Sequence, residues 1–206
     1  MAKQRNTILV LGEGPTEFYY LKSLSDVYRG LTIKPDYPKH TNLQELDAKI
    51  EEGVRMGYRY IFCVIDMDNK GKDPARSQYL KLKRKYSKPV NKPRLGIYSE
   101  VFFFETHLCT ELFFLYYFDY KSRPYDKQKD LLEDLNVFCE YVKTEDFFKK
   151  CKGLHPYFEK CGGKLIQAIK NSNRSLNEKE KDNRNYTYSE LGIMFEMFEM
   201  FEKIEK

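Results

Sequence analysis

Glu13, Asp66 and Asp68 are the residues best placed to do chemistry in this chain. Glu13 lies in the turn Gly12-Glu13-Gly14-Pro15, directly after the aliphatic run Thr7–Leu11. Asp66-Met67-Asp68 ends the most apolar run of the chain, Tyr60 to Ile65. Hard cations such as Mg²⁺ or Mn²⁺ take oxygen ligands, often one or two carboxylates with waters and substrate phosphates. Residues 66 and 68 alternate, so both side chains can face one side as the chain leaves a strand. Glu13 brings a third carboxylate from another loop. Three such groups held together repel one another. A bound cation removes that repulsion, polarises a phosphoryl oxygen and lowers the pKa of an attacking water. Glu13, Asp66 and Asp68 are therefore the candidate metal ligands. Glu111 is a candidate fourth catalytic carboxylate, its plainer role being to pair with a lysine or arginine. Glu17 reads as a helix-start residue and His107 as structural.

These residues need elements to position them. The run to Leu11 reads as a buried strand, followed by a helix with Thr16 at its cap, Phe18, Leu21, Leu24 and Tyr28 at helical spacing, and Gly30 closing it. Thr32 to Tyr37 is a weaker strand. Thr41 or Asn42 caps a helix with Leu43, Leu46 and Ile50 on its inner face, ended by Gly57. Tyr60 to Ile65 suits a strand covered on both faces. A helix over 75–86 follows, then two strand candidates, 97–98 and 101–104, of which one is the core strand. Residues 108–118 read as a buried aromatic helix, 171–185 as a mobile polar loop, and the Met-Phe-Glu repeat of 194–202 as a helix with Met194, Met197, Phe198 and Phe201 on one face. Strands alternating with helices predict an α/β fold with a parallel sheet flanked by helices. In such sheets ligands bind beyond the carboxyl ends of the strands. The expected organisation is an α/β domain over 1–118 and a helical extension over 119–206 packing on it.

Composition narrows the function classes. With 206 residues, 41% of them hydrophobic, the chain can bury a real core. Its apolar runs are too short for a membrane helix, so the expected location is cytoplasmic, away from membranes. Five cysteines with no Cys-x-x-Cys suit reduced thiols and argue against a zinc site. The net charge is +5, yet residues 70–94 hold ten basic residues and one acidic residue, Asp73. Lys70, Lys72, Arg76, Lys81, Lys83, Arg84 and Lys85 follow the Asp-x-Asp strand directly, so they are the candidate nucleic-acid contacts. Local charge of this kind attracts phosphates through counterion release, although it also suits a solvated helix face.

Two stretches resemble a known superfamily. Leu9 to Glu17, with the aromatic-rich helix after it, is similar to the first motif of Toprim domains in the form found in OLD-type nucleases. Ile61 to Asn69 is similar to the Toprim Asp-x-Asp strand. A third stretch, Leu108 to Phe118, resembles the Pro-Cys-Phe-Glu-x-Trp-x-Leu-x-His-Phe motif of RloB-like proteins. Cys109, Glu111, Leu115 and Phe118 are in register, while Leu108, Phe113 and Tyr117 replace the proline, tryptophan and histidine. The tail, with Asn183 and Leu191, is similar to the loop and apolar helix that end that family. The resemblance implies a Toprim-like sheet, with Glu13 as general acid/base or metal-linked glutamate and Asp66 and Asp68 as Mg²⁺ ligands. It implies a nuclease acting on RNA such as tRNA, or on DNA, in antiphage defence. An ABC-type ATPase is the implied partner, and a homodimer is compatible with it. A non-catalytic binding or regulatory subunit of a defence or restriction-modification complex is the alternative. The chain is too short for a topoisomerase or primase with their additional domains.

Overall fold

A computed structural model describes residues 7–40, 42–68 and 70–204. The basic start at 1–6, the alternative cap Thr41 and Asn69 lie outside the described residues. In chain order the elements are β1 (Thr7–Leu11), α1 (Pro15–Lys22), β2 (Thr32–Asp36), α2 (Leu43–Arg55), β3 (Tyr60–Asp66), α3 (Ala75–Lys85), β4 (Val90–Lys92) and β5 (Ile97–Thr106). Helices follow: α4 (Glu111–Leu115), α5 (Gln128–Asn136), α6 (Glu145–Lys150), α7 (Leu154–Lys160), α8 (Leu165–Asp182) and α9 (Leu191–Ile204).

The strands form one sheet in the order β2-β1-β3-β5-β4, parallel except for the β4 edge. β1 and β3 are central neighbours, with Leu11 opposite Cys63, and Asp66 lies opposite Thr106 of β5. The carboxyl ends of β1 and β3 therefore open onto one edge. Alternate residues serve opposite faces. Ile8, Val10, Phe62, Val64 and Phe104 join a large cluster with α1, α4 and the helices from α5 onward. Leu9, Leu11, Ile61, Cys63 and Ile65 pack against Leu46, Ile50 and Val54 of α2 and Tyr79 and Leu82 of α3. The helices after residue 118 thus bury their apolar faces in the cluster that covers one side of the sheet. No helix among the described residues is long and apolar enough to cross a membrane.

Several boundaries depart from the sequence expectations. α1 stops at Lys22, and the chain to Leu31 runs through turns in which Val27 N and Tyr28 N donate to Leu24 O. The segments 97–98 and 101–104 are one strand, β5. Its first residues pair with β4 and its later ones with β3, and Ser99 Oγ donates to Tyr58 O at 2.7 Å. The aromatic helix over 108–118 is regular only at Glu111–Leu115, and Leu108 has φ +66, a conformation closed to proline. The polar segment 171–185 is helical as far as Asp182 rather than a loop throughout, because α8 continues to that residue. Its small polar side chains are spent on backbone. Asn171 Nδ2 donates to Tyr116 O at 2.9 Å, and Ser172 Oγ donates to Ser189 O at 2.6 Å. A Cβ on Gly192 of α9 would lie 2.9 Å from Ser172 Oγ, so small residues let the two helices approach closely. On α9 the buried face also includes Phe195, stacked on Phe113 at 5.3 Å, while Met197 is only partly buried.

Candidate functional site

The turn after β1 is tight. Gly12 N extends the ladder to Asp36 O at 2.9 Å, and Pro15 starts α1 with its fixed φ. Gly14, rather than Thr16, is the N-cap, and the Glu17 carboxylate reaches back to accept from Gly14 N at 2.9 Å. A Cβ on Gly12 would lie 2.4 Å from Glu17 Cβ. Gly12→Ala should therefore cost about 1–3 kcal/mol through overpacking. Urea unfolding checks this, and a midpoint unchanged from wild type would show that Glu17 can move aside.

Glu13 bridges to the neighbouring strand. Its Oε1 accepts from Asp66 N at 3.2 Å, and the Lys70 ammonium lies 2.7 Å from the same oxygen. Lys70 Nζ also donates to Asp66 O at 2.8 Å. This ion pair is largely buried, a setting in which removing one partner is costly. Asp66 Oδ1 accepts two bonds from Thr110, from the backbone N and from Oγ1, both at 2.9 Å. Those bonds fix the start of α4, so Glu111 follows immediately and points inward with no exposure. Glu111 accepts from Tyr141 Oη at 2.9 Å and pairs with Lys143 Nζ at 3.0 Å. Glu111, a candidate catalytic carboxylate, thus makes the ion pair of its plainer reading, with a lysine from the loop before α6.

Burial and mutual repulsion load this cluster. Glu17 is pushed up to about 7, first by burial and then by Glu111. Asp66 is held well above the usual carboxylate range by burial, then by Glu17, Glu13 and Glu111. Burial raises Glu13 as well, opposed by Lys70. Burial works against the charge on Lys143, but Glu111 outweighs it and raises the ammonium to about 12. The structure thus gathers Glu13, Glu17, Asp66 and Glu111 around two ammonium groups. Asp68 is exposed and lines, with Glu13 and Lys70, a cleft of about 350 Å³.

Among the described residues no three carboxylate, imidazole or thiol groups are arranged to hold a metal ion at once. The donor set still suits a hard cation. It is all oxygen, it carries excess negative charge, and an ammonium already sits against Glu13. Mg²⁺ needs only one or two protein carboxylates when waters and phosphates complete its shell.

The basic segment divides. Lys70 is buried against Glu13, Lys83 pairs with Glu105 at 2.6 Å, and Lys85 with Asp47 and Glu51 at 2.8 Å. Lys72, Arg76, Lys81 and Arg84 are exposed. His107 lies beyond β5, where burial lowers its pKa and favours the neutral ring. Glu17 fills the helix-start role expected from the sequence, but its place four residues after Glu13 across a glycine turn also puts its carboxylate in the cluster. Thr110, Tyr141 and Lys143 carried no local signal.

A family model described as RloB-like protein matches residues 8–200. No curated protein and no solved structure matches the chain.

Proposed function

The chain belongs to the RloB-like protein family, and on that premise we propose that it is a divalent-cation-dependent nuclease cutting phosphodiester bonds in RNA or DNA. The observation that carries this reading is the contact of Glu13 with Asp66 across the β1–β3 pair, with Asp68 two residues on. One or two of Glu13, Asp66 and Asp68, completed by waters and a substrate phosphate, would hold Mg²⁺ or Mn²⁺, which would supply Lewis-acid polarisation of the phosphate and a more acidic attacking water. The chain's own groups do the rest. Burial raises the Glu13 carboxyl against the opposing pull of Lys70, which suits it to exchange a proton with the attacking or leaving oxygen. Lys70 lines the same cleft, where its ammonium can pair with a phosphate oxygen. Thr110 fixes one oxygen of Asp66 and so the orientation of that carboxylate. The resemblance to defence effectors supports an ABC-type ATPase as the partner that licenses cleavage.

The test is cleavage of tRNA, single-stranded DNA and duplex DNA with and without Mg²⁺ or Mn²⁺, and with any ATPase encoded beside the gene. Cation-dependent cutting of one of them is expected. No cutting under any of these conditions would remove the reading. Lys70 against Glu13 favours one other reading, an acidic module that binds and regulates without cutting. Calorimetry with Mn²⁺ separates the two, because only the nuclease must take up the ion.

The exposed basic residues beside this site should carry the electrostatic share of binding. Reversing Lys72, Arg76, Lys81 and Arg84 to Glu should weaken nucleic-acid binding. Its log-log salt slope should fall by roughly 0.7–0.9 for each phosphate that no longer has a cationic partner. Stability should hardly change, since exposed charges contribute little. An unchanged slope would make α3 only a solvated face.

A further inference from the structure

Besides Glu13, Asp68 and Lys70, the cleft is lined by residues that the phosphate chemistry does not use. Its charged lining, Glu13, Asp68 and Lys70, comes from the loops after β1 and β3. Its apolar lining is Pro38 after β2 with Leu43 and Leu46 of α2. Ala75 and Gln78 add the first turn of α3. A volume of about 350 Å³ is near the lower end of the ~300–1,000 Å³ range of small-molecule sites. Such a space takes one nucleotide rather than two stacked ones.

We infer that this cleft is a nucleotide pocket that receives the unstacked base and sugar next to the scissile phosphate, so that the substrate is cut at an unpaired nucleotide. The inference rests on reading Glu13 and Asp68 as the phosphate-processing end. A phosphate at those residues leaves its nucleoside against Pro38, Leu43 and Leu46, where apolar contact suits the faces of a base. The Gln78 amide both donates and accepts, so it can meet the edge of a base. A base within a duplex cannot enter, because it is stacked and paired. It must first leave the helix, which is least costly where the strand is already single or looped. The site therefore selects a loop, an end or a single strand over continuous duplex.

The experiment uses the full chain. Binding of AMP, CMP, GMP and UMP is measured by calorimetry in EDTA and in Ca²⁺, with inorganic phosphate as the control. The variants are Ala75→Trp, which fills the cleft from a partly exposed position, and Gln78→Ala at an exposed one. At least one mononucleotide should bind more tightly than phosphate, and Ala75→Trp should weaken it by about tenfold or more. Gln78→Ala should change the ranking among the four bases. Phosphate binding as well as every mononucleotide, or Ala75→Trp and Gln78→Ala both without effect, would overturn the pocket. Mononucleotide binding in a protein that cuts no polymer would uphold the pocket and remove the nuclease reading. Equal cutting of unpaired and duplex substrates without mononucleotide binding would do the reverse.

Discussion

Asp66→Asn is expected to abolish cation-dependent cleavage while leaving the metal-free protein at least as stable as wild type. The asparagine Oδ1 can still accept both bonds from Thr110, so the β3–α4 connection keeps its geometry. What disappears is a buried negative charge beside Glu17, Glu13 and Glu111, whose repulsion holds Asp66 well above the usual carboxylate range after burial itself. Losing that repulsion stabilises the empty site. Losing the ligand charge removes several kcal/mol of transition-state stabilisation, which is about 10²-fold or more in rate at ~1.4 kcal/mol per tenfold. Asp68→Asn is the useful contrast, since Asp68 is exposed. It should lower activity with little change in unfolding midpoint. Both quantities come from one preparation, by single-turnover cleavage at limiting Mg²⁺ and by urea unfolding in EDTA. Full cleavage by Asp66→Asn would show that the chemistry lies elsewhere.

The second large effect is on stability against pH. Glu17 has an ordinary carboxyl value of 4.5 and is held near 7 in the folded state by burial and by Glu111. Below pH 4.5 it is protonated whether folded or unfolded, and it contributes nothing. Between 4.5 and 7 the unfolded chain ionises this group while the folded chain keeps the proton, so rising pH favours unfolding. Above 7 the full cost is present, on the order of 3 kcal/mol for a fully buried group. Asp66 and Glu13 act in the same direction. Metal-free wild type should therefore lose stability relative to Glu17→Gln across pH 4.5–7. The variant keeps the cap, because a Gln oxygen can still accept from Gly14 N. Mn²⁺ should narrow the gap by neutralising the same charges. Parallel stability curves for the two proteins from pH 4.5 to 8 would show that the cluster carries no such load.

The two experiments fail for different reasons. Asp66→Asn tests whether the cluster is used, and the pH series tests only whether it is assembled and charged. A protein that shows the pH effect without cation-dependent cleavage would be the acidic binding module, with Lys70 permanently in the cation's place.

Much of this site was legible in the sequence, because its signals are local. Apolar runs of strand length ended by Gly-Glu-Gly-Pro and Asp-x-Asp place Glu13, Asp66 and Asp68 just past two strands, and the helix–strand alternation implies a parallel sheet. What the tertiary structure alone decided is which of these ends meet. The order β2-β1-β3-β5-β4 makes β1 and β3 neighbours and brings the start of α4 beside Asp66. Glu17, Glu111 and Lys143 are 94 and 32 residues apart in sequence, counting from Glu17 to Glu111 and on to Lys143, and no pattern links them. Their encounter depends on how α1, α4 and the loop before α6 pack on one face of the sheet. The same holds for the basic run. Its charge is a fact of composition, but Lys70, Lys83 and Lys85 are spent on acids contributed by distant elements, which leaves Lys72, Arg76, Lys81 and Arg84 facing solvent. The polar segment of α8 is a helix rather than the expected loop for the corresponding reason. Asn171, Ser172 and Ser175 look like loop residues, and only the tertiary fold supplies the carbonyls of Tyr116 and Ser189 that make the burial of Asn171 and Ser172 favourable.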